Sequence, residues 1–237
     1  MPPRACLFDL GGTLFSYAPF RPHLERLLAE TARRYAVRAP AETLRQAYRR
    51  AMEEAGQRVA GRPFYRHSDL FGEAVAGFLA TLGARAGDDE GDRFYTAQRE
   101  LGSALARPRP GALETLRALR ERGLHVGIVS NIDDDQFHPL LERLGLAPWV
   151  DATTTSEEAG SCKPDRAIFV QALAKAGDPP AEEVLFVGDT PEQDVAGANA
   201  VGLASVLLSR DPGAGAGPHR PRHVIAELPE LLALVGP

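Results

Sequence analysis

Beyond residue 110, helical and extended patterns alternate without interruption, and this alternation constrains the fold more than any other feature. ALETLRALRERG (112–123) has helical spacing and stops at Gly123; LHVGIVS (124–130) reads as a strand; QFHPLLERLG (136–145) returns to helix. VDATTTS (150–156) is a short strand, PDRAIFVQALAKAG (164–177) a helix with Pro164 at its first position, and VLFVGD (184–189) a buried strand. ASVLLS (204–209) is another strand, and HVIAEL (223–228) with a terminal helix closes the chain. Thr190-Pro191-Glu192-Gln193 has the form of a capping box. Strict alternation implies an α/β fold: a Rossmann-like parallel sheet core with helices on both faces.

One strand of that core lies far upstream. ACLFDL (5–10) is a short apolar run that ends at two glycines. Four amphipathic helices follow with no strand between them. Their apolar stripes are Leu24, Leu27, Leu28, Thr31, Tyr35; Leu44, Ala47, Tyr48, Ala51, Ala55; Leu70, Ala74, Phe78, Leu82; and Phe94, Ala97, Leu101, Leu105. The block ends at Arg107-Pro108-Arg109-Pro110-Gly111, a proline-rich hinge. The expected organisation is a core of residues 1–14 and 108–237, with 15–107 inserted as a helical domain. GAGAGP (213–218) is a glycine-spaced segment with no helix behind it and reads as a loop.

Composition excludes several classes. The content is 44% hydrophobic and 25% charged, that of an ordinary globular protein, and the formal charge of −5 argues against nucleic acid as a partner. No apolar run approaches the roughly 18 residues of a membrane span. Asp9 interrupts the only apolar run near the N-terminus, so no signal peptide is read there. Cys6 and Cys162 make neither a disulfide framework nor a zinc spacing. The expected setting is a reducing, cytoplasmic one. Lys163 and Lys175 are the only lysines.

In parallel sheets, sites form at the carboxyl ends of the strands. Asp9 ends the first strand, Ser130 and Asn131 end GIVSN, Lys163 opens the helix after the third strand, and Asp189 ends VLFVGD. Singly, each has an ordinary reading as a turn residue, loop residue or solvated charge. Together they compose one chemistry. Asp9 and Asp189 offer a hard oxygen site suited to Mg²⁺. The metal would let an anionic nucleophile approach an anionic phosphate. Asp9 can attack phosphorus, Ser130 can donate to a phosphoryl oxygen, and Lys163 can neutralise the transferred group. Asp194, in the first turn after Thr190, can reach back to the metal or its waters, or simply complement the helix dipole.

FDLGGTL (8–14), IVSN (128–131), SCKPD (161–165) and VGDTPEQD (187–194) occur in the order of the four motifs of the haloacid dehalogenase superfamily, and over its whole length the chain resembles the phosphohydrolases of that superfamily. The resemblance implies that Asp9 is the nucleophile and that Mg²⁺ is held by Asp9, the carbonyl of Gly11 and Asp189. It implies that Ser130, Asn131 and Lys163 belong to the phosphoryl site and that Asp194 supports the metal or Lys163. Residues 15–107 would be the cap, closing over a small phosphorylated substrate. Oligomeric state is not implied.

One position departs from the pattern. Phosphatases of this superfamily carry a second Asp two residues after the nucleophile, as general acid and base; here that residue is Gly11. A carbonyl can still ligate metal, but the proton transfer, worth about 10²–10⁴-fold, has no side chain there. Three readings follow. The protein is a phosphatase that is slow or restricted to good leaving groups, with Tyr17, His23 or His67 as substitutes for the acid. It does other chemistry: dehalogenation, which the metal-type VGD motif disfavours, or phosphonate cleavage, which needs a cap lysine that residues 15–106 lack. Or it is a phosphate-ligand binding protein without turnover.

Other features have ordinary readings beside functional ones. Asp133-Asp134-Asp135 would serve as cap and dipole partners of a helix, or as an anion-repelling rim. Arg62, Tyr65 and Arg66 lie in a turn that could grip a substrate or be a plain basic loop. His67 precedes Ser68, read as a helix cap. Cys162 adjoins Lys163 without any sign of reactivity.

Overall fold

A computed structural model describes residues 2–236. Six strands form one parallel sheet: β1 (Ala5–Phe8), β2 (His125–Ser130), β3 (Ala152–Thr155), β4 (Val184–Gly188), β5 (Ala204–Leu208) and β6 (His223–Ile225). Their order is β3-β2-β1-β4-β5-β6. The chain winds outward from β1 to β3, returns to the other side of β1 with β4, and winds outward again. The reversal between β1 and β4 opens a crevice at their carboxyl ends, where such sheets bind ligands.

Burial explains the strand composition. Every residue of β1 and β4 is buried, as expected for strands covered on both faces. On one face, Ala5, Leu7, Val129, Val184 and Phe186 meet Ile168, Phe169 and Ala172 of α8 (Arg166–Lys175) and Ala198 of α9 (Ala196–Ala200). Cys6 and Phe8 point the other way and are equally buried. α5 (Ala112–Glu121) packs against β2 and the terminal turn.

Four local expectations are corrected. Pro164 does not open a helix: α8 begins at Arg166, capped by Asp165, whose carboxylate accepts from Ala167 N at 2.9 Å. Thr190 makes no side-chain cap, and Pro191–Val195 form a π-helical turn. The terminal helix is a 3₁₀ turn, Leu228–Ala233, with its own capping box between Glu227 and Glu230. α6 (Asp134–Leu144) is not capped by the Asp133 side chain; Glu157, from α7 (Ser156–Ala159), accepts from Asp134 N at 2.9 Å instead. Within 213–218, Ala214–Ala216 form a single 3₁₀ turn.

The described residues divide into two units: one runs to Ser16 and resumes at Arg107, and the other is Tyr17–Ala106. The second unit contains α1 (Arg21–Arg34), α2 (Ala41–Val59), α3 (His67–Thr81) and α4 (Glu90–Leu105). Leu28, Ala55, Phe78 and Phe94 centre its core. A buried carboxylate, Glu90, is satisfied there by Arg34 and by Tyr35 Oη at 3.2 Å. His67 is the first residue of α3, so Ser68 is not its cap; the His67 ring stacks on Tyr65. Arg62, Tyr65 and Arg66 line a cavity of about 740 Å³ within this unit, which Asp69, Glu73 and Asp92 also line. Tyr17 is exposed and packs edge-on against Phe20. Among the described residues, no helix is long and apolar enough to cross a membrane.

Candidate active site

The β1–β4 pairing continues one rung past the strands, with Asp9 N donating to Val187 O at 2.8 Å. That rung places Asp9 beside the end of β4, where Asp189 follows Gly188. Asp9, Asp189 and Asp194 each present a carboxylate oxygen, and these oxygens lie within 4.8 Å of one another. Lys163 enters this group as its cation: Nζ donates to Asp9 Oδ1 at 2.6 Å and to Asp194 Oδ1 at 2.8 Å, with the Phe186 ring 5.5 Å beneath it. Asp194 Oδ2 accepts from Thr190 N at 3.0 Å. The π-helical turn thus carries a carboxylate that reaches back to the backbone N–H of Thr190, while the Thr190 side chain makes no cap.

The field follows from burial. Burial pushes the Asp9 carboxyl up to about 7; Lys163 opposes this shift, and Asp194 and Asp189 add to it. Burial also disfavours the Lys163 ammonium, but Asp194 and Asp9 outweigh it and raise this group above the ordinary lysine range. Asp189 is raised by burial and by Asp194, with Thr190, Lys163 and Arg109 pulling the other way.

The donor set fits a hard divalent cation. The cluster holds three carboxylates and one ammonium, which bonds Asp9 and Asp194, so when ionised it carries an excess of negative charge. Asp9 Oδ2 is buried with no hydrogen-bond partner, the oxygen that a cation would satisfy. Both oxygens of Asp194 are already engaged by Lys163 and Thr190.

The remaining candidates lie around this centre in distinct ways. Ser130 is buried at the end of β2, one strand from Asp9. Asn131, grouped on sequence with the catalytic residues, has its amide fully engaged: Oδ1 accepts from Lys163 N at 2.7 Å, and Nδ2 donates to Lys163 O at 3.0 Å and Gln193 Oε1 at 3.3 Å. It clasps the Lys163 backbone and so aims that side chain. Gly11 is half-buried and bridges to Phe15. Gly12 has φ +87°, and a Cβ built on it would lie 2.1 Å from Asp189 Oδ2, so only glycine lets the loop close on that carboxylate.

Two participants escaped the sequence reading. On sequence Gln193 reads only as the third residue of a capping box, yet its Oε1 accepts from Asn131. Arg109 lay in what read as a hinge, yet its Nε donates to Thr13 O at 3.0 Å and its Nη2 to Gly12 O.

The cluster of three carboxylates and one lysine thus lies at the reversal point of a parallel sheet, where α/β proteins of this layered class place their sites. The chain belongs to the haloacid dehalogenase-like hydrolase family, which it matches over residues 3–202. It is 35% identical over 206 residues to the ribulose-1,5-bisphosphate 5-phosphatase of Halopiger xanaduensis, covering 86% of this chain and 84% of that one. It is 32% identical over 215 residues to the glyceraldehyde 3-phosphate phosphatase of Methanopyrus kandleri, covering 87% and 84%. The magnesium-bound HAD-hydrolase YfnB of Bacillus subtilis superposes with a TM-score of 0.82 at 20% identity over 99% of both chains, a likeness of fold.

Proposed function

We propose that this protein is a Mg²⁺-dependent phosphatase of a small phosphorylated metabolite, working through an aspartyl-phosphate on Asp9, with residues 15–107 as the cap that selects the substrate. The observation that carries this reading is the Lys163 ammonium bonded to both Asp9 and Asp194, with Asp189 in the same cluster. The names of the two relatives above, both phosphatases of small sugar phosphates, support the substrate class.

Asp9 would attack phosphorus through one carboxylate oxygen; the ester P–O bond breaks, and the leaving alkoxide takes its proton from water. Water then attacks the same phosphorus, releasing inorganic phosphate and regenerating the carboxylate. Lys163 fixes one Asp9 oxygen and balances charge on the transferred group. Ser130 donates to a phosphoryl oxygen. Asn131 acts through Lys163. A cation held by Asp9 and Asp189, with the Gly11 carbonyl, would supply charge neutralisation between nucleophile and phosphate. Asp194, with both oxygens engaged, supports Lys163.

Gly11 provides no proton donor, so the leaving group's own acidity matters. Aryl and acyl phosphates should turn over faster than alkyl esters. Gly11 also favours a second reading, a phosphate-binding protein without turnover. Incubation with Mg²⁺ and an aryl phosphate separates them. Metal-dependent release of phosphate that Asp9→Asn abolishes supports the phosphatase; tight binding of a phosphorylated ligand without release supports the alternative.

A further inference from the structure

Within the loop after β1, Gly12 N donates to Phe15 O at 2.8 Å, and Leu14 N and Phe15 N donate to Leu10 O at 2.9 and 3.2 Å. Three consecutive carbonyls of this loop are met by one residue. Arg109 gives its backbone N–H to Leu14 O at 2.8 Å, its Nε to Thr13 O at 3.0 Å and its Nη2 to Gly12 O. Arg109 is itself anchored, since its carbonyl accepts from Ala112 N at 3.0 Å at the start of α5. The guanidinium is a rigid planar fork, and it holds two successive carbonyls in a fixed geometry that the freely rotating donors of a lysine ammonium do not impose.

The Gly12 held by this fork is the residue with no space between its α-carbon and Asp189. Its neighbour Gly11 carries the carbonyl assigned to the metal. A shift of a few tenths of an ångström at Gly12 therefore moves the surface against which Asp189 rests. We propose that Arg109 is a positioning residue that sets the divalent-cation affinity of the site by locking Gly12, Thr13 and Leu14 against Asp189. This rests on the metal reading given under the proposed function.

The sign of the effect separates geometry from charge. A cation close to a metal site repels the metal, so if only its charge mattered, removing Arg109 would tighten Mg²⁺ binding. If the fork matters, Arg109→Lys, which keeps the charge and loses the fork, weakens binding as Arg109→Gln does. Calorimetric titration of the full chain with Mg²⁺ alone reads this directly. Arg117→Ala, on the exposed side of α5, serves as control, and circular dichroism establishes that each variant is folded.

The expected result is a dissociation constant about tenfold higher or more in both Arg109 variants and unchanged in Arg117→Ala. Aryl-phosphate turnover should be depressed at limiting Mg²⁺ and recover to within about threefold of wild type at saturation, which a merely misfolded protein would not do. Wild-type protein that binds Mg²⁺, with folded Arg109→Lys or Arg109→Gln binding it within twofold or more tightly, overturns this inference alone. Wild-type protein that binds no Mg²⁺ overturns the metal reading and this inference with it.

Discussion

Gly188 and Asp194 sit so close that a single methyl group does not fit between them: a Cβ built on Gly188 would lie 2.3 Å from Asp194 Oδ2 and 2.4 Å from its Cβ. The last residue of β4 is therefore glycine because the carboxylate that holds Lys163 folds back over it. Asp194 cannot yield cheaply, because Lys163 and Thr190 N fix its two oxygens. Gly188→Ala is expected to cost about 1–3 kcal/mol of stability by overpacking and to depress turnover sharply by displacing Asp194 from Lys163. Denaturant melts and steady-state kinetics on one preparation check both. Wild-type activity in the alanine variant would show that the Asp194–Lys163 contact is not needed.

Lys163 is bonded to Asp9 and Asp194 of the cluster, and its side chain is 1% exposed. Lys163→Met leaves buried carboxylates facing one another without it, the situation in which loss of one partner costs about 3–5 kcal/mol. The metal-free variant is expected to lose that much in urea denaturation and to regain part of it when Mg²⁺ is added. Turnover should fall on the order of 10²–10³-fold, as for loss of one electrostatic donor. Stability equal to wild type in the absence of metal would contradict the buried pairing.

The Asp9 carboxyl gives a pH dependence of defined sign. Burial raises it from 3.8 to about 7, so the metal-free folded protein holds a proton that the unfolded chain releases above about pH 4. This group's contribution to stability is present below that pH and is lost as pH rises through about 7. Mg²⁺ competes with the same proton. The increase in melting temperature caused by a fixed Mg²⁺ concentration should grow with pH and level off above about 7. A shift independent of pH between 5 and 8 would exclude Asp9 as the titrating ligand.

Gly11 lies two residues after Asp9 in the loop that follows β1. Gly11→Asp restores a carboxyl at the position where general acid–base work is expected. Turnover of alkyl phosphates should rise about 10-fold or more, toward the 10²–10⁴ range of such catalysis, and that of aryl phosphates much less. Equal rates for both substrates in a folded variant would mean that another group already supplies the proton or that chemistry is not limiting.

Cys6 and Cys162 are both buried, and burial pushes the Cys6 thiol up to about 12. Neither is expected to react with a disulfide reagent at pH 8 until the chain is denatured, when both titrate. Stoichiometric labelling of native protein would contradict that burial.

Much of this protein is local in character and legible as such. The alternation after residue 110 and the helical stripes from Leu24 to Leu105 are periodic patterns that secondary structure imposes on neighbouring residues. Asp9, Ser130, Asn131 and Asp189 could be found because each lies at the end of an apolar run, and in a parallel sheet all strand ends of one kind lie on one side. Helix boundaries were less legible. Pro164 suited a helix start, yet Asp165 supplies the cap one residue later, and Thr190 suited a cap, yet its side chain makes none and its N–H is instead held by Asp194 across a π-helical turn.

The sequence by itself determined the layered α/β architecture and which residue types meet at the crevice, because hydrophobic period and strand polarity are properties of consecutive residues. Only the tertiary structure decided that Asn131 clasps the Lys163 backbone, that Arg109 braces Gly12 and Thr13 from 97 and 96 positions away, and that Lys163 reaches Asp9 across 154. Such contacts join a side chain to a distant backbone or carboxylate. They leave no period in the chain, and the folded sheet alone brings their partners within bonding distance.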